Sequence, residues 1–251
     1  LCEGLIEYFM SKKGIEIIRK EDINVILSFH LPPTSHFIGH WLNKKTGIPW
    51  IAHFSDPWSF HHETKKKLLL RLIEESIEKR VLNTASFITT VTEPWAYKLN
   101  ALHNKETYVI SCGYDEEDYE DNSHHATDKF TITYTGTIYE KFQDIHLLFE
   151  VISELISDDK ISATDFCLRF YSKQTDYLNS LATRYRLNQV VCVHFFLPYQ
   201  EMIAKQKEST ILLSFRWKDQ EATGVCDGKN FGYLCAMRPI LSIGPRGGAV
   251  E

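Results

Sequence analysis

The chain has 251 residues, of which 43% are hydrophobic and 24% charged, and its formal net charge is −5. This composition is typical of a globular protein with one large domain or two ordinary ones, and the negative charge argues against nucleic-acid binding. No apolar run approaches the about 18 residues of a membrane span. Six scattered cysteines without a CxxC pair predict reduced thiols in a cytoplasmic protein.

Strands and helices alternate through the first half of the sequence. The β-branched run "NVILSF" is typical of a buried parallel strand. The next helix has an apolar stripe from Phe37 to Leu42 and ends at Gly47. The pattern predicts strands at 24–29, 49–55, 87–92 and 107–111, with further helices at 63–85 and 93–103. Such alternation predicts a doubly wound parallel sheet.

The acidic stretch 112–129 interrupts this pattern, and we place a domain boundary in it, so that the domains are 1–120 and 121–251. The second half repeats the alternation. It predicts strands at 130–137, 166–172, 190–197, 210–216 and 239–244, and helices at 145–156, 175–187, 199–209 and 229–237. The predicted fold is α/β, with two Rossmann-like parallel sheets facing a cleft, and ligands are expected beyond the carboxyl ends of the strands.

One loop in the second half has the residues of a phosphate site. Arg216, Lys218 and Lys229 flank Thr223-Gly224-Val225, and a helix begins directly afterwards. Lysine together with the free amides at a helix start suits a diphosphate. The alternative is a solvated basic loop, which the lack of a Walker or GxGxxG signature favours.

Histidines and one aspartate are concentrated in the first half. Six histidines fall within 30–62, but without HExxH or a nearby cysteine, ordinary hydrogen bonding is favoured over metal binding. Asp56 precedes Pro57 at the end of a predicted strand. It either points into the mouth of the cleft or closes an Asx turn, and the sequence does not separate the two.

The stretch "KKKLLLRL" at 65–72 is basic and apolar. It could rest on an anionic membrane surface, or it could begin an amphipathic helix that covers the sheet. The acidic residues Glu74, Glu75 and Glu78 follow, which favours the helix that covers the sheet.

Several blocks in order resemble bacterial glycosyltransferases of family 4, of the two-domain GT-B type, and most closely their surface-polysaccharide branch. They are "ILSFHLPPTSHFIGH", "IAHFSDPW", "ITYTGTIYEKFQD", "HFFLPYQEM" and "TGVCDGKNFGYL". The resemblance implies that 1–120 is an acceptor-side domain without its N-terminal part. It also implies that 121–251 is a donor-binding domain without its C-terminal part.

The resemblance also implies a reaction. A hexose-type sugar would move from a nucleotide-diphosphate sugar, expected to be UDP-linked, to a lipid-linked or polysaccharide acceptor, with retention at the anomeric carbon and no metal or cofactor. It implies contact with the inner face of a membrane and no nucleic acid. By resemblance Asp56 is the catalytic candidate, and Pro32, Pro33, His36 and His53 lie on the acceptor side. The implied donor-binding residues are Gly136, Thr137, Lys141, Lys173, Phe196, Leu197, Thr223, Gly224, Val225 and Lys229.

The sequence departs from the family pattern at positions of the expected cleft. Gly232 stands where the family has a glutamate that contacts the ribose, and His53 and Ser55 replace an acid and an arginine. Cys112 replaces an asparagine. Two alternatives therefore stay beside the active transferase: a non-catalytic nucleotide-sugar-binding or partner subunit, and a nucleotide-sugar epimerase of the same architecture.

Overall fold

The computed structural model describes residues 2–62, 67–119, 127–219 and 222–250, with side chains from residue 10 onward. The chain divides into two compact units, Leu1–Ser111 and Cys112–Glu251. The observed division thus lies nine residues before the predicted one. The reason is that Tyr119 packs with Ile203, Leu212 and Tyr233 in a core cluster of the second unit.

The first unit is a four-stranded sheet in the order β1-β2-β3-β4, and all of its strands are parallel. The predicted strands are confirmed, each one or two residues shorter than the sequence indicated. Helix α1 was not predicted, and the first residues of the predicted helix 63–85 lie outside the described part of the chain. The elements are α1 (Cys2–Lys20), β1 (Ile26–His30), α2 (Thr34–Thr46), β2 (Trp50–Phe54), α3 (Leu68–Leu82), β3 (Phe87–Thr90), α4 (Glu93–His103) and β4 (Thr107–Val109).

Helices cover one face of this first sheet in the described part of the chain. Trp50 and Phe54 of β2 are fully buried there, with Leu82 of α3 and Leu99 of α4. Glycine at 39 lets α2 pack this closely, because a Cβ atom there would collide with the indole of Trp50. On the opposite face lie half-exposed apolar side chains in aligned register, namely Leu27, Phe29, Phe87 and Tyr108. The predicted α/β fold with a parallel Rossmann-like sheet is confirmed for this unit.

The interpretation of 65–72 as the start of a sheet-covering helix is also wrong. Residues 68–73 of α3 are exposed, and α3 is buried only near its C-terminal end, at Glu78, Val81 and Leu82. No helix in the described ranges is long and apolar enough to cross a bilayer.

The second unit is a five-stranded parallel sheet in the order β7-β6-β5-β8-β9. A 3₁₀ turn at Glu117–Tyr119 precedes it. The elements are β5 (Phe130–Thr135), α5 (Ile145–Ser157), β6 (Phe166–Tyr171), α6 (Thr175–Arg184), β7 (Val191–His194), α7 (Tyr199–Lys207), β8 (Ile211–Phe215), α8 (Gly228–Cys235) and β9 (Ile240–Ile243).

Both faces of this second sheet are covered, as the sequence predicted. Apolar residues at helical spacing on α5 (Ile145, Phe149, Ile152) pack on one face, and Ile203 of α7 and Tyr233 of α8 lie on the other. The chain runs from β5 outward to β7 and then returns to the other side of β5 as β8. The strand order therefore reverses between β5 and β8. In open α/β sheets ligands bind beyond the carboxyl ends of the strands at this reversal.

Candidate functional site

A cleft of about 280 Å³ opens at this reversal in the second unit. Its floor is the end of β5 and the turn that follows. The rest of the lining comes from the loop after β7, from α7 and from the N-terminal end of α8. The lining residues are Thr135, Gly136, Thr137, Tyr139, Phe196, Met202, Asp227 and Lys229.

Gly136 makes the turn at the floor of the cleft. Its φ of +135° lies in a region that L side chains rarely adopt, and a Cβ atom there would lie 3.6 Å from Nζ of Lys229. The turn is held in place from both sides. The Gly136 N–H donates to the carbonyl of Tyr171, and the Tyr134 hydroxyl donates to the carbonyl of Thr137 at 2.7 Å.

Lys229 supplies a positive charge to the cleft. Its ammonium donates to the Tyr134 hydroxyl at 3.0 Å and lies 3.0 Å from Oδ2 of Asp227, with the side chain 15% exposed. Burial alone would lower the pKa of Lys229, but the oxygens of Tyr134 and Asp227 outweigh it and raise this pKa above its ordinary value. Lys229 is therefore a permanent cation at neutral pH.

Helices α7 and α8 fix Thr135, the last residue of β5. The Thr135 N–H donates to the Tyr233 hydroxyl at 2.9 Å, and Nε2 of Gln206 donates to Oγ1 of Thr135 at 3.1 Å. These three side chains are buried. Because Thr135 lines the cleft, this buried network sets the position of the floor relative to the start of α8.

A second cation lies at the rim. Nζ of Lys173, after β6, is 5.7 Å from the centre of the Phe196 ring, after β7. Phe196 lines the cleft and Leu197 beside it is half-buried. Lys141, the predicted basic partner of the Gly136 turn, is exposed and does not line the cleft.

The segment Thr223–Val225 is not part of this cleft. Thr223 and Val225 line a separate cavity of about 30 Å³, with Arg216 and Gly247. The carbonyl of Thr223 accepts the N–H of Ala249 at 2.8 Å, so this loop packs against the chain after β9. Of the predicted basic loop, the structure brings Lys229 to the turn at Gly136, and it keeps 223–225 apart from that turn.

Four residues at this cleft were not predicted from the sequence, namely Tyr134, Tyr139, Met202 and Asp227. Asp227 and Tyr139 stood in the predicted loops, and an acidic residue two positions before a lysine was a usable signal. Nothing in the sequence pointed to Tyr134, because a tyrosine inside a β-branched run reads as core. It is buried in the core and its hydroxyl reaches the cleft lysine.

In the first unit, His36 belongs to the core. It is fully buried, and its Nδ1 lies 2.7 Å from the Ser28 hydroxyl, which also accepts the indole N–H of Trp50. Burial lowers the pKa of His36 to about 3, so the ring is neutral. His36 thus lies on the predicted acceptor side, but as part of the buried packing of the first unit.

Asp56 lies half-buried after β2, close to two histidines. Its carbonyl accepts a hydrogen bond from Nδ1 of His30 at 2.8 Å, and its Oδ1 lies 3.7 Å from Nδ1 of His62. Nδ1 of His53 lies 2.9 Å from the Thr89 hydroxyl on the neighbouring strand. The histidines thus make ordinary hydrogen bonds.

The remaining acceptor-side residues lie at the start of α2. Pro32 is exposed and Pro33 half-buried, and the helix begins directly after them. Within the described ranges, no three His, Cys, Asp or Glu side chains are placed to hold a metal ion.

Residues 3–118 match the family model described as Glycosyltransferase Family 4. No curated protein sequence matches the chain. Several solved structures share the fold. Sucrose-phosphate synthase from Thermosynechococcus elongatus has 12% identity and a TM-score of 0.64, over 95% of this chain and 60% of that one. The Anabaena protein HepE, in complex with UDP-glucose, has 12% identity and a TM-score of 0.62, over 88% and 60%.

A putative UDP-N-acetylglucosamine 2-epimerase from Listeria monocytogenes has 13% identity and a TM-score of 0.55, over 96% of this chain and 62% of that one. This chain thus spans about three fifths of the length of these three structures. The resemblance to family 4 glycosyltransferases is confirmed by the family model over residues 3–118. The structures of low identity show that the α/β fold with two parallel sheets is shared over nearly the whole chain.

Proposed function

We propose that this chain is the part of a retaining glycosyltransferase that binds a UDP-linked hexose and transfers the sugar to a lipid-linked or polysaccharide acceptor. The observation that carries the proposal is the cleft at the carboxyl end of β5, in which the largely buried Lys229 lies beside a glycine turn. The reaction needs no metal if the protein itself stabilises the departing diphosphate.

The groups around the cleft suit a diphosphate. The N-terminal end of α8 borders it at Asp227 and Lys229, and the partial positive charge of a helix start favours anions. Asp227 offsets part of the Lys229 charge, so the helix start and Lys173 at the rim are needed as well. Gly136 allows close approach of a ligand to the backbone. The Phe196 ring offers a flat apolar surface to a nucleotide base.

We assign the acceptor to the first unit. The support is the family match over residues 3–118 and the half-buried Asp56 after β2, the catalytic candidate. A lipid-linked acceptor lies at a membrane, so the proposal includes a cytoplasmic protein that touches the inner surface of a membrane.

A non-catalytic binding subunit is the second candidate, and Gly232 favours it. The ribose-binding glutamate of the family is missing there, and Tyr119 occupies the space in which its Cβ would stand. Epimerisation of a nucleotide-sugar is the third candidate reaction, because a putative UDP-N-acetylglucosamine 2-epimerase shares the fold.

One product analysis separates the three functions. The full-length protein that contains this chain is incubated with UDP-glucose, UDP-galactose and UDP-N-acetylglucosamine, with and without a polyprenyl-diphosphate sugar as acceptor. Products are resolved by mass spectrometry and anion-exchange chromatography. A new glycolipid together with UDP supports the transferase. An epimerised donor without acceptor would identify an epimerase. UDP binding without turnover of any donor would leave the binding subunit and contradict the transferase.

A further inference from the structure

The N-terminal part of α3 presents an unusual number of exposed apolar side chains. Five large aliphatic residues within six positions are about half to two thirds exposed. They are Leu68 (70%), Leu69 (70%), Leu70 (55%), Leu72 (52%) and Ile73 (48%). We call residues 67–73 the α3 tip.

The α3 tip projects from the first unit. Six successive helical residues cover more than a full turn, so side chains on every side of the helix are exposed there, over a length of about 9 Å. The C-terminal half of α3 is anchored instead. The Glu78 carboxylate is fully buried, accepts the N–H of Ser59 at 2.9 Å and lies 3.0 Å from Nε2 of His103.

The charges around the tip are basic. Lys67 and Arg71 are exposed on it, and Lys65 and Lys66 precede it in the sequence, outside the described residues. No acidic residue occurs between positions 65 and 73. Of the acids that follow, Glu74 is half-buried, Glu75 pairs with Lys79 at 2.7 Å and Glu78 is buried. The tip therefore combines positive charge with apolar side chains that the described residues of the first unit leave exposed.

We propose that the α3 tip docks on an anionic lipid surface. Its leucines enter the boundary between headgroups and acyl chains, a depth of about 5–10 Å that matches the length of the tip. Lys67 and Arg71 contact lipid phosphates, which attract juxtamembrane basic residues. The α3 tip would be the surface that makes the membrane contact of the proposed function, on which this proposal rests. Its test requires no sugar transfer.

Vesicle co-sedimentation of the whole chain tests the proposal. The probes are vesicles of phosphatidylcholine alone and of equal parts phosphatidylcholine and phosphatidylglycerol. Binding is expected on the mixed vesicles only. Leu69→Gln with Leu72→Gln should weaken it at least tenfold. Lys67→Gln with Arg71→Gln should weaken it about fivefold for each charge and remove most of its salt dependence.

The matched control is Leu147→Gln with Val151→Gln on α5, which are 48% and 41% exposed in the second unit. This pair should leave binding unchanged, and far-ultraviolet circular dichroism checks that all variants fold. Equal binding of tip and control variants overturns the proposal. So does a dimer, in sedimentation velocity, that the leucine substitutions dissociate, because a second copy would then cover the tip. UDP binding measured on the same variants reports separately on the proposed function.

Discussion

A Cβ atom on Gly232 would lie 2.7 Å from the hydroxyl oxygen of Tyr119, whereas the Cζ atom of that ring would be 3.9 Å away. The glycine in α8 thus makes room for a single oxygen atom. Tyr119 reaches this place from the 3₁₀ turn that opens the second unit, and its carbonyl accepts a hydrogen bond from Lys207. Most other residues would stabilise α8 more than glycine does, but glycine leaves the space in which the Tyr119 ring packs.

Gly232→Ala should therefore lower the free energy of unfolding by about 1–3 kcal/mol, because the new methyl group has no space. In a Tyr119→Phe background the same substitution should raise it by up to about 1 kcal/mol, because alanine is the better helix former. Urea denaturation of the four proteins gives the coupling energy. Gly228→Ala is the control, since a Cβ atom at Gly228 meets nothing within 4 Å. Equal effects of Gly232→Ala in both backgrounds would contradict this account.

Gly232→Glu alone should not improve binding of UDP, since its Cβ is blocked by the same oxygen atom. With Tyr119→Phe, a glutamate at 232 gains space beside Gln206, which holds Thr135 of the cleft floor. A charge-assisted hydrogen bond to the ribose contributes about 1.5–3 kcal/mol, so the double variant should bind UDP at least tenfold more tightly than Tyr119→Phe. Isothermal titration calorimetry with UDP measures this. No gain would mean that position 232 does not reach the ribose.

Lys229→Met should weaken UDP binding at least tenfold, because it removes the buried cation and leaves the Asp227 carboxylate facing the diphosphate. Lys160→Met is the control, since Lys160 is an exposed lysine that also pairs with an aspartate, Asp158. The pKa of Lys229 is raised from 10.5, so the Lys229-dependent share of the affinity should stay constant between about pH 8 and pH 10. Loss of this share of the affinity below pH 10 would contradict a raised pKa of Lys229.

The first unit should lose stability in mild acid. The pKa of His36 is lowered from 6.5 to about 3, so below about pH 6.5 the unfolded chain binds a proton that the folded chain does not. Stability then falls by up to about 1.4 kcal/mol per pH unit as the pH decreases toward 3. Burial also lowers the pKa values of His30 and His53, which adds loss of the same sign.

Tryptophan fluorescence in urea at about pH 7 and pH 5 measures this loss. The signal reports mainly on the first unit, because four of the five tryptophans lie there. His36→Asn retains a polar group near the Ser28 hydroxyl but cannot titrate, so the difference between the two pH values should shrink. His61→Asn is the control for loss of a histidine. An unchanged difference in His36→Asn would assign the acid sensitivity to other groups.

The strand-and-helix order was predictable because it rests on local patterns. Runs such as "FTITYT" and the apolar spacing of α5 indicate their secondary structure without reference to the rest of the chain. Helix α1 was not predicted, although Ile15 and Ile18, three residues apart, pack against the core of the first unit. Nothing in an acidic linker indicates that Tyr119 packs in the core of the second unit, so the sequence alone does not place the division after Ser111.

The sequence by itself determined the succession of strands and helices along the chain, the loops in which a site could lie and the resemblance to a family. These depend on residue type and spacing. Only the tertiary structure decided which loops meet. It brought Lys229 to Gly136 and Phe196, and it separated Thr223–Val225 from them. It also buried His36 and exposed the leucines of the α3 tip. Such outcomes depend on long-range packing, in which the space for a single atom matters. The hydroxyl oxygen of Tyr119, for example, leaves no room for a Cβ atom at Gly232.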